Sequence, residues 1–287
     1  YLGYKNARFG RIEAHEAVTA YGREMLLRAK EAAEDLGFTV LHMYVDGLWV
    51  KKKGYAQVQD FQPLLEEIIN RTGLPIALDG IYRWVAFLSS RMDERVPVPN
   101  RYFGVFQDGS LKMRGIELRR HDTPKWISDV QMEIIDTLVQ ASNVEDPSTY
   151  LPRILKLVRK ALSRLRTGRV PLEDLLVSLT LSRELSEYRT PSAAARAAAQ
   201  LAVIGKNLRP GQRVRFIYTM GEPGVHAWDL PQTPDIRTVD QERYRVLLLR
   251  AAATILQPFG LQEEDLKTRV FAHAKDVTFY APVYLNV

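Results

Sequence analysis

The sequence predicts an α+β fold, with helices and an antiparallel sheet in its first part and a mainly helical remainder. Three observations carry that reading. Apolar residues between Ile12 and Leu36 recur at three- and four-residue steps, the period of an amphipathic helix. β-Prone runs flank the tight pairs Asp46-Gly47 and Asp108-Gly109, and such pairs are strong short-range hairpin signals. After Pro124 helical periods dominate.

Each element follows in order. In Ile12 to Leu36, Ala17, Ala20, Tyr21, Met25, Leu26, Ala29 and Ala33 form one stripe, and Gly37 sits just past the end as a stop signal. Phe38 to Tyr44 and Leu48 to Val50 form a hairpin about Val45-Asp46-Gly47, closed by Lys51-Lys52-Lys53. A second helix is expected over Val58 to Arg71. Strands are expected at Pro75–Leu78, Tyr82–Leu88, Arg101–Gln107 and Leu111–Leu118. Beyond a boundary at Thr123 to Asp129, helices are expected at Trp126–Ala141, Tyr150–Arg166, Ala193–Ile204 and, last, Gln241–Leu256. Strands are expected at Leu175–Leu181 and Gln212–Met220, and Gly221–Asp240 reads as the longest loop.

Composition narrows the class. With 46% hydrophobic and 26% charged residues among 287, the chain carries enough apolar material for a sizeable core and is no low-complexity polymer. Forty Lys and Arg against thirty-four Asp and Glu leave +6, which suits a polyanionic partner. The absence of cysteine excludes disulfides, thiolate metal sites and a Cys nucleophile. No apolar run approaches the ~20 residues that span a bilayer, so no membrane partner is expected. The opening Tyr1-Leu2-Gly3-Tyr4 has no apolar signal core and begins mid-motif, which leads us to expect a processed, split or truncated piece of something larger.

Among the motifs, the Asp46 hairpin carries the most chemistry, because a carboxylate at a hairpin tip is one way to hold a divalent cation against phosphates. Taken alone, Asp-Gly is also simply good turn chemistry. Between Leu151 and Arg169 lie seven basic residues and no acidic one. Arg153, Lys156, Lys160 and Arg164 fall on one helical stripe, and Ile154, Val158, Ala161 and Leu165 on another. Such a cationic face suits duplex phosphates, and a solvated face or an acidic protein partner would also explain it. The five histidines have no metal-ligand spacing apart from His42 with Asp46, and His42 is read as packing. Gly221-Glu-Pro-Gly224 lacks the Lys-Ser/Thr of a phosphate loop.

The order of these segments adds a resemblance. Tyr1-Leu-Gly-Tyr-Lys-Asn-Ala-Arg8-Phe-Gly, a long helix, His42-Met-Tyr44-Val-Asp46-Gly-Leu-Trp-Val50, Asn100-Arg101-Tyr102-Phe-Gly and Lys112-Met-Arg114-Gly115-Ile-Glu117-Leu-Arg-Arg120-His-Asp122 follow one another. This series resembles the palm of family B DNA polymerases. The hairpin resembles the family's Asp-Thr-Asp motif, and the later blocks its Lys-Lys-x-Tyr and Arg-Gly-x-Glu-x-x-Arg-x-Asp elements. Leu181-Ser-Arg183-Glu-Leu-Ser-Glu-Tyr188, Gly205-Lys206-Asn-Leu-Arg209-Pro-Gly211, Val214 to Tyr218, Tyr244 and Leu256-Gln-Pro-Phe-Gly260 resemble the thumb. The resemblance implies a palm over 1–125 and a thumb over 126–287.

It further implies a DNA-directed DNA polymerase that works by a two-metal, Mg²⁺-dependent mechanism, cytoplasmic and nucleoid-associated. Asp46 would be its catalytic, metal-holding residue. Arg101, Tyr102, Lys112, Arg114, Arg120, Arg153, Lys156, Lys160, Arg183 and Lys206 would face primer–template DNA, with Glu117 a structural partner of Arg114 and Arg120. Tyr44 stands at the degenerate position where the family has the first Asp of the motif, and Val45 replaces its Thr. A phenol is a poor substitute for a hard carboxylate ligand, so the hairpin resembles inactivated branches of the family more than a replicative enzyme. The upstream carboxylate, the fingers and any exonuclease part would come from elsewhere, as the same or a split polymerase. The chain alone is therefore expected not to polymerise. The rival expectation is a catalytically inactive homologue that binds DNA or serves as a scaffold.

Overall fold

Good helix formers dominate Ile12–Asp35, and they wind into α1, a helix of 24 residues. Its end is a Schellman turn. Gly37 takes φ +75°, its N–H donates to Glu34 O, and Phe38 N–H donates to Ala33 O at 2.9 Å. The structure, a computed structural model, describes Gly3, residues 8–90 and residues 96–272. Most of the opening segment, residue 273 and the chain's last residues lie outside the described residues.

β1 (Thr39–Tyr44) and β2 (Gly47–Lys51) pair antiparallel, with Tyr44 opposite Gly47 and a bulge between Val40 and His42. The turn therefore sits on Val45-Asp46, one residue earlier than the expected Asp-Gly pair, and Gly47 belongs to the strand. A 3-10 turn over Val58–Phe61 leads into α2 (Gln62–Thr72), closed by Gly73 at φ +68°. Ala29, Ala32 and Ala33 of α1 form a core with Phe38, Phe61, Leu64 and Ile68. Arg71 fastens α2 to α1, bonding Asp35 at 2.7 Å and its own helix's Glu67 at 2.6 Å.

The strand expected at Pro75–Leu78 does not form. Pro75 offers no N–H to a ladder, and Ile76 and Leu78 pack against the core of α1 and α2 instead. β3 (Tyr82–Ser89), β4 (Pro97–Phe106) and β5 (Leu111–Arg114) make a three-stranded sheet in that order. Between β4 and β5, Asp108 accepts from Ser110 N–H at 2.8 Å while Gly109 takes φ +86°. β5 stops short of the expected Leu118 because Gly115, at φ +65°, turns the chain. On β4 a Cβ at Gly104 would stand 2.8 Å from the Trp84 carbonyl oxygen, so only glycine lets the two backbones approach this closely.

Two compact units result, with the chain passing between them after Phe87, Val96 and Lys112. The helices α3 (Lys125–Val139) and α4 (Leu151–Arg166) belong to the second. It continues with β6 (Val177–Thr180), α5 (Ala193–Val203), β7 (Arg213–Tyr218) and β8 (Val225–Ala227). α6 (Gln241–Leu256) and α7 (Glu263–Phe271) complete it. β8 falls inside the stretch expected to be loop, and α7 follows the helix expected to be last. Both are short, three and nine residues, and carry too few periods to stand out. α5 packs its small Ala194, Ala197 and Ala198 on the antiparallel sheet β6-β7-β8, against Val177, Val214 and Phe216. Ile134, Leu138, Ile154, Val158, Leu248 and Ile255 of α3, α4 and α6 are fully buried. No helix among the described residues is long and apolar enough to cross a membrane.

Tyr244 on α6 ties this unit together. Its buried hydroxyl donates to Leu175 O at 2.7 Å and accepts from Tyr218 N–H at 3.0 Å. Burial raises its pKa, and burial likewise pushes Tyr82 up to about 12. Unfolded tyrosines ionise near pH 10 while these phenols stay protonated in the fold, so their stabilisation is present below pH ~10 and is lost as pH rises beyond it. Tyr244→Phe should lower the unfolding free energy by about 1–3 kcal/mol at neutral pH. It should also weaken the loss of stability between pH ~10 and ~12. Denaturant titrations across pH measure both, and an unchanged neutral midpoint would show that the hydroxyl's two bonds contribute nothing.

Candidate nucleic-acid interface

The hairpin tip consists of two residues. Val45 takes φ +53°, a left-handed conformation that a β-branched residue rarely adopts, and it is two-thirds exposed. Asp46 is exposed beside it and Tyr44 half-buried. Behind the tip, His42 is buried with its ring 4.5 Å from that of Phe87 and 5.2 Å from that of Trp49. Tyr102 on β4, only 2% exposed, packs its ring 5.2 Å from Trp49. The aromatic cluster thus fixes β2 against β4 and holds the tip out in solvent.

Of the cations expected to face DNA, the first unit holds Arg101, half-buried on β4, and Lys112, half-buried on β5 and ion-paired with Asp79. On the second unit Arg114 is exposed, and the exposed Arg120 forks onto Asp122 at 2.9 and 2.6 Å. That fork holds the Asp122 carboxyl below its ordinary range. Arg183 lies 5.6 Å over the Tyr188 ring, and Lys206 donates to Asp229 O at 2.8 Å. On α4, Arg153, Lys156, Lys160 and Arg164 are all exposed, and Ile154, Val158, Ala161 and Leu165 are all buried. Arg159, between the stripes, turns inward and donates to Val270 O at 2.8 Å and to Arg269 O.

Glu117 has different partners from those expected. Its carboxylate accepts from Gln131 Nε2 at 2.8 Å and from Thr254 Oγ1 at 3.0 Å, while Arg120 goes to Asp122. Gln131 is fully buried, and it also accepts from Leu118 N–H and donates to Ala251 O, both at 2.8 Å. A lone Gln in a helical period gives no sequence signal for such a role. Only the packing of α3 against α6 creates it.

These exposed cations, the carboxylate at a hairpin tip and the order of the elements can be set beside known proteins. The profile of DNA polymerase family B matches residues 99–252, more than half of the chain. This chain belongs to DNA polymerase family B. It is 28% identical to DNA polymerase 2 of Aeropyrum pernix over 93% of this chain and 31% of that protein. With the DNA polymerase of Archaeoglobus fulgidus it shares 25% identity over 93% of this chain and 34% of that one. Its fold matches the family B DNA polymerase structure from Pyrobaculum calidifontis with a TM-score of 0.60 and 27% identity, covering 91% of this chain and 32% of that one. This family B chain thus spans about a third of the length of these relatives. Its antiparallel sheets and helices are consistent with a palm followed by a helical thumb.

Mg²⁺ needs several oxygen ligands in near-octahedral array. Among the described residues of this family B chain no three His, Asp or Glu side chains gather as a cation site. The hairpin tip offers one exposed carboxylate, Asp46, so the described residues do not fit a complete metal centre. The tip is also strained. Val45→Asn, which tolerates positive φ, should raise the unfolding free energy by about 1 kcal/mol. Chemical denaturation measures this, and equal or lower stability would refute the strain.

Proposed function

We propose that this chain is the palm (1–125) and thumb (126–287) of a family B DNA-directed DNA polymerase, and that it binds primer–template duplex. The observation that carries this best is α4, whose exposed Arg153, Lys156, Lys160 and Arg164 form one cationic stripe backed by a buried apolar one. Arg101, Lys112, Arg114, Arg120, Arg183 and Lys206 add backbone contacts that position the duplex without reading its sequence. Tyr102, being buried against Trp49, supports the hairpin. The relatives' greater length and the exposed Ile12, Val18 and Tyr21 of α1 favour further polypeptide, with the fingers and a second carboxylate, against the palm. In that assembly Asp46 would supply one oxygen ligand to Mg²⁺, and the bound metal would activate the primer 3′-hydroxyl and stabilise the departing pyrophosphate.

A second reading has a specific observation in its favour. Tyr44-Val45-Asp46 places a phenol and a strained aliphatic residue where the family motif, by resemblance, has Asp and Thr. A protein of this kind would keep duplex binding and lose nucleotidyl transfer.

Primer extension with Mg²⁺ and with Mn²⁺, in an assembly with the upstream part, separates the two readings. Extension that vanishes in Asp46→Asn supports the polymerase. No extension in the wild type, with duplex binding intact and activity gained in Tyr44→Asp, supports the binding protein. For α4, the double variant Lys156→Ala, Lys160→Ala should reduce the slope of log K against log salt by about 2. An unchanged slope would remove α4 from the interface.

A further inference from the structure

The segment that follows β5 carries one carboxylate, Glu117, among Arg114, Arg119 and Arg120. Gly115 at φ +65° turns the chain, and Glu117–Arg119 form a 3-10 turn. This turn divides its side chains by face. Ile116 is fully buried, Glu117 and Leu118 are half-buried, and all three arginines are exposed. Arg120 is forked onto Asp122, whereas Arg114 and Arg119 make no ion pair among the described residues. The turn's one negative group therefore points inward while its positive groups point out.

Neutral donors, not arginines, hold that carboxylate. Gln131 Nε2 donates to one oxygen at 2.8 Å and Thr254 Oγ1 to the other at 3.0 Å. Gln131 is fully buried and Thr254 only 7% exposed, so both reach Glu117 from inside the unit. Gln131 also fixes the backbone of the turn, its Oε1 accepting from Leu118 N–H, while its Nε2 donates to Ala251 O on α6. Bonds to a charged acceptor are the stronger kind, so the two donors keep the side chain inward. On the outer face the same carboxylate would sit among the arginines and repel a phosphate.

We propose that Gln131 and Thr254 are positioning residues for duplex binding: by drawing Glu117 inward they leave the Arg114 face of the turn free of an uncompensated carboxylate and fixed in orientation for DNA phosphates. The inference rests on the reading of this chain as the duplex-binding part of a polymerase. Both residues are buried, so neither meets the DNA, and both act through Glu117 and the turn. A role confined to stability would weaken duplex binding only by unfolding the chain. A positioning role makes their effect depend on Arg114.

Primer–template duplex is titrated into the chain over a range of salt, below the thermal midpoint of each variant. Gln131→Met should weaken binding by about tenfold and reduce the slope of log K against log salt by about 1, as loss of one phosphate contact does. Thr254→Val should weaken binding less, because the hydroxyl is shared with Arg250 O at 3.0 Å. In an Arg114→Ala background Gln131→Met should have little further effect, whereas combined with Lys156→Ala on α4 the two losses should multiply. Gln131→Glu sets two carboxylates together and should bind weakly. Adding Glu117→Gln restores a donor–acceptor pair and should recover most of the affinity. Should Gln131→Met not fold, the near-isosteric Thr254→Val carries the same comparison with and without Arg114. Wild-type affinity in these variants would overturn the inference, as would a loss of equal size in both Arg114 backgrounds. No duplex binding by the wild-type chain would overturn the polymerase reading, and this inference with it. Duplex binding that tolerates the variants would overturn this inference alone.

Discussion

A fully buried side-chain amide has to satisfy donors and acceptor together, and Gln131 does so by joining three segments. It reaches the 3-10 turn after β5 through Leu118 N–H and Glu117, and it reaches α6 through Ala251 O. Thr254 completes the arrangement on the second Glu117 oxygen. The net worth of each such bond is modest, and orphaning one inside the core costs more than forming it gains. Gln131 therefore fixes how α3, already packed on α6 through apolar side chains, is oriented towards α6 and the turn that bears Glu117. Because Glu117 is engaged here and Arg120 with Asp122, the motif's charges are sorted between core and surface.

The same sorting shapes α4. Its basic residues serve two purposes that the sequence pattern alone does not separate. Arg159 completes the end of α7, where its guanidinium meets carbonyls left open by the last helical turn. The others remain in water, where they keep α4 soluble and available to a polyanion. Counting positive charges would have credited all seven to a partner.

The hairpin combines a rigid base with a strained tip. Phe87, Trp49, His42 and Tyr102 interlock behind it, so the tip's position is set by aromatic packing rather than by turn chemistry. Val45 is held at positive φ because the strand pairing on either side over-determines the two-residue turn. A metal-binding tip and a purely structural one would share this base, and the difference between them rests on the side chains at 44 and 46.

Local rules made much of the fold legible. Helical periods located α1, α2, α3, α4, α5 and α6 to within a few residues, and glycines at 37, 73 and 109 marked turns because only they adopt left-handed backbone without strain. The cationic and apolar stripes of α4 were also readable, since a helix's period alone decides which residues share a face. The ordered motifs carried the family. Long-range packing decided the rest. It denied Pro75–Leu78 a strand partner, added β8 to a sheet whose other strands lie upstream in the chain, and moved the hairpin turn to Val45-Asp46. It chose Gln131 and Thr254 as the partners of Glu117. Those outcomes depend on which surfaces meet across tens of residues, and a periodicity read over one element contains no information about its partner.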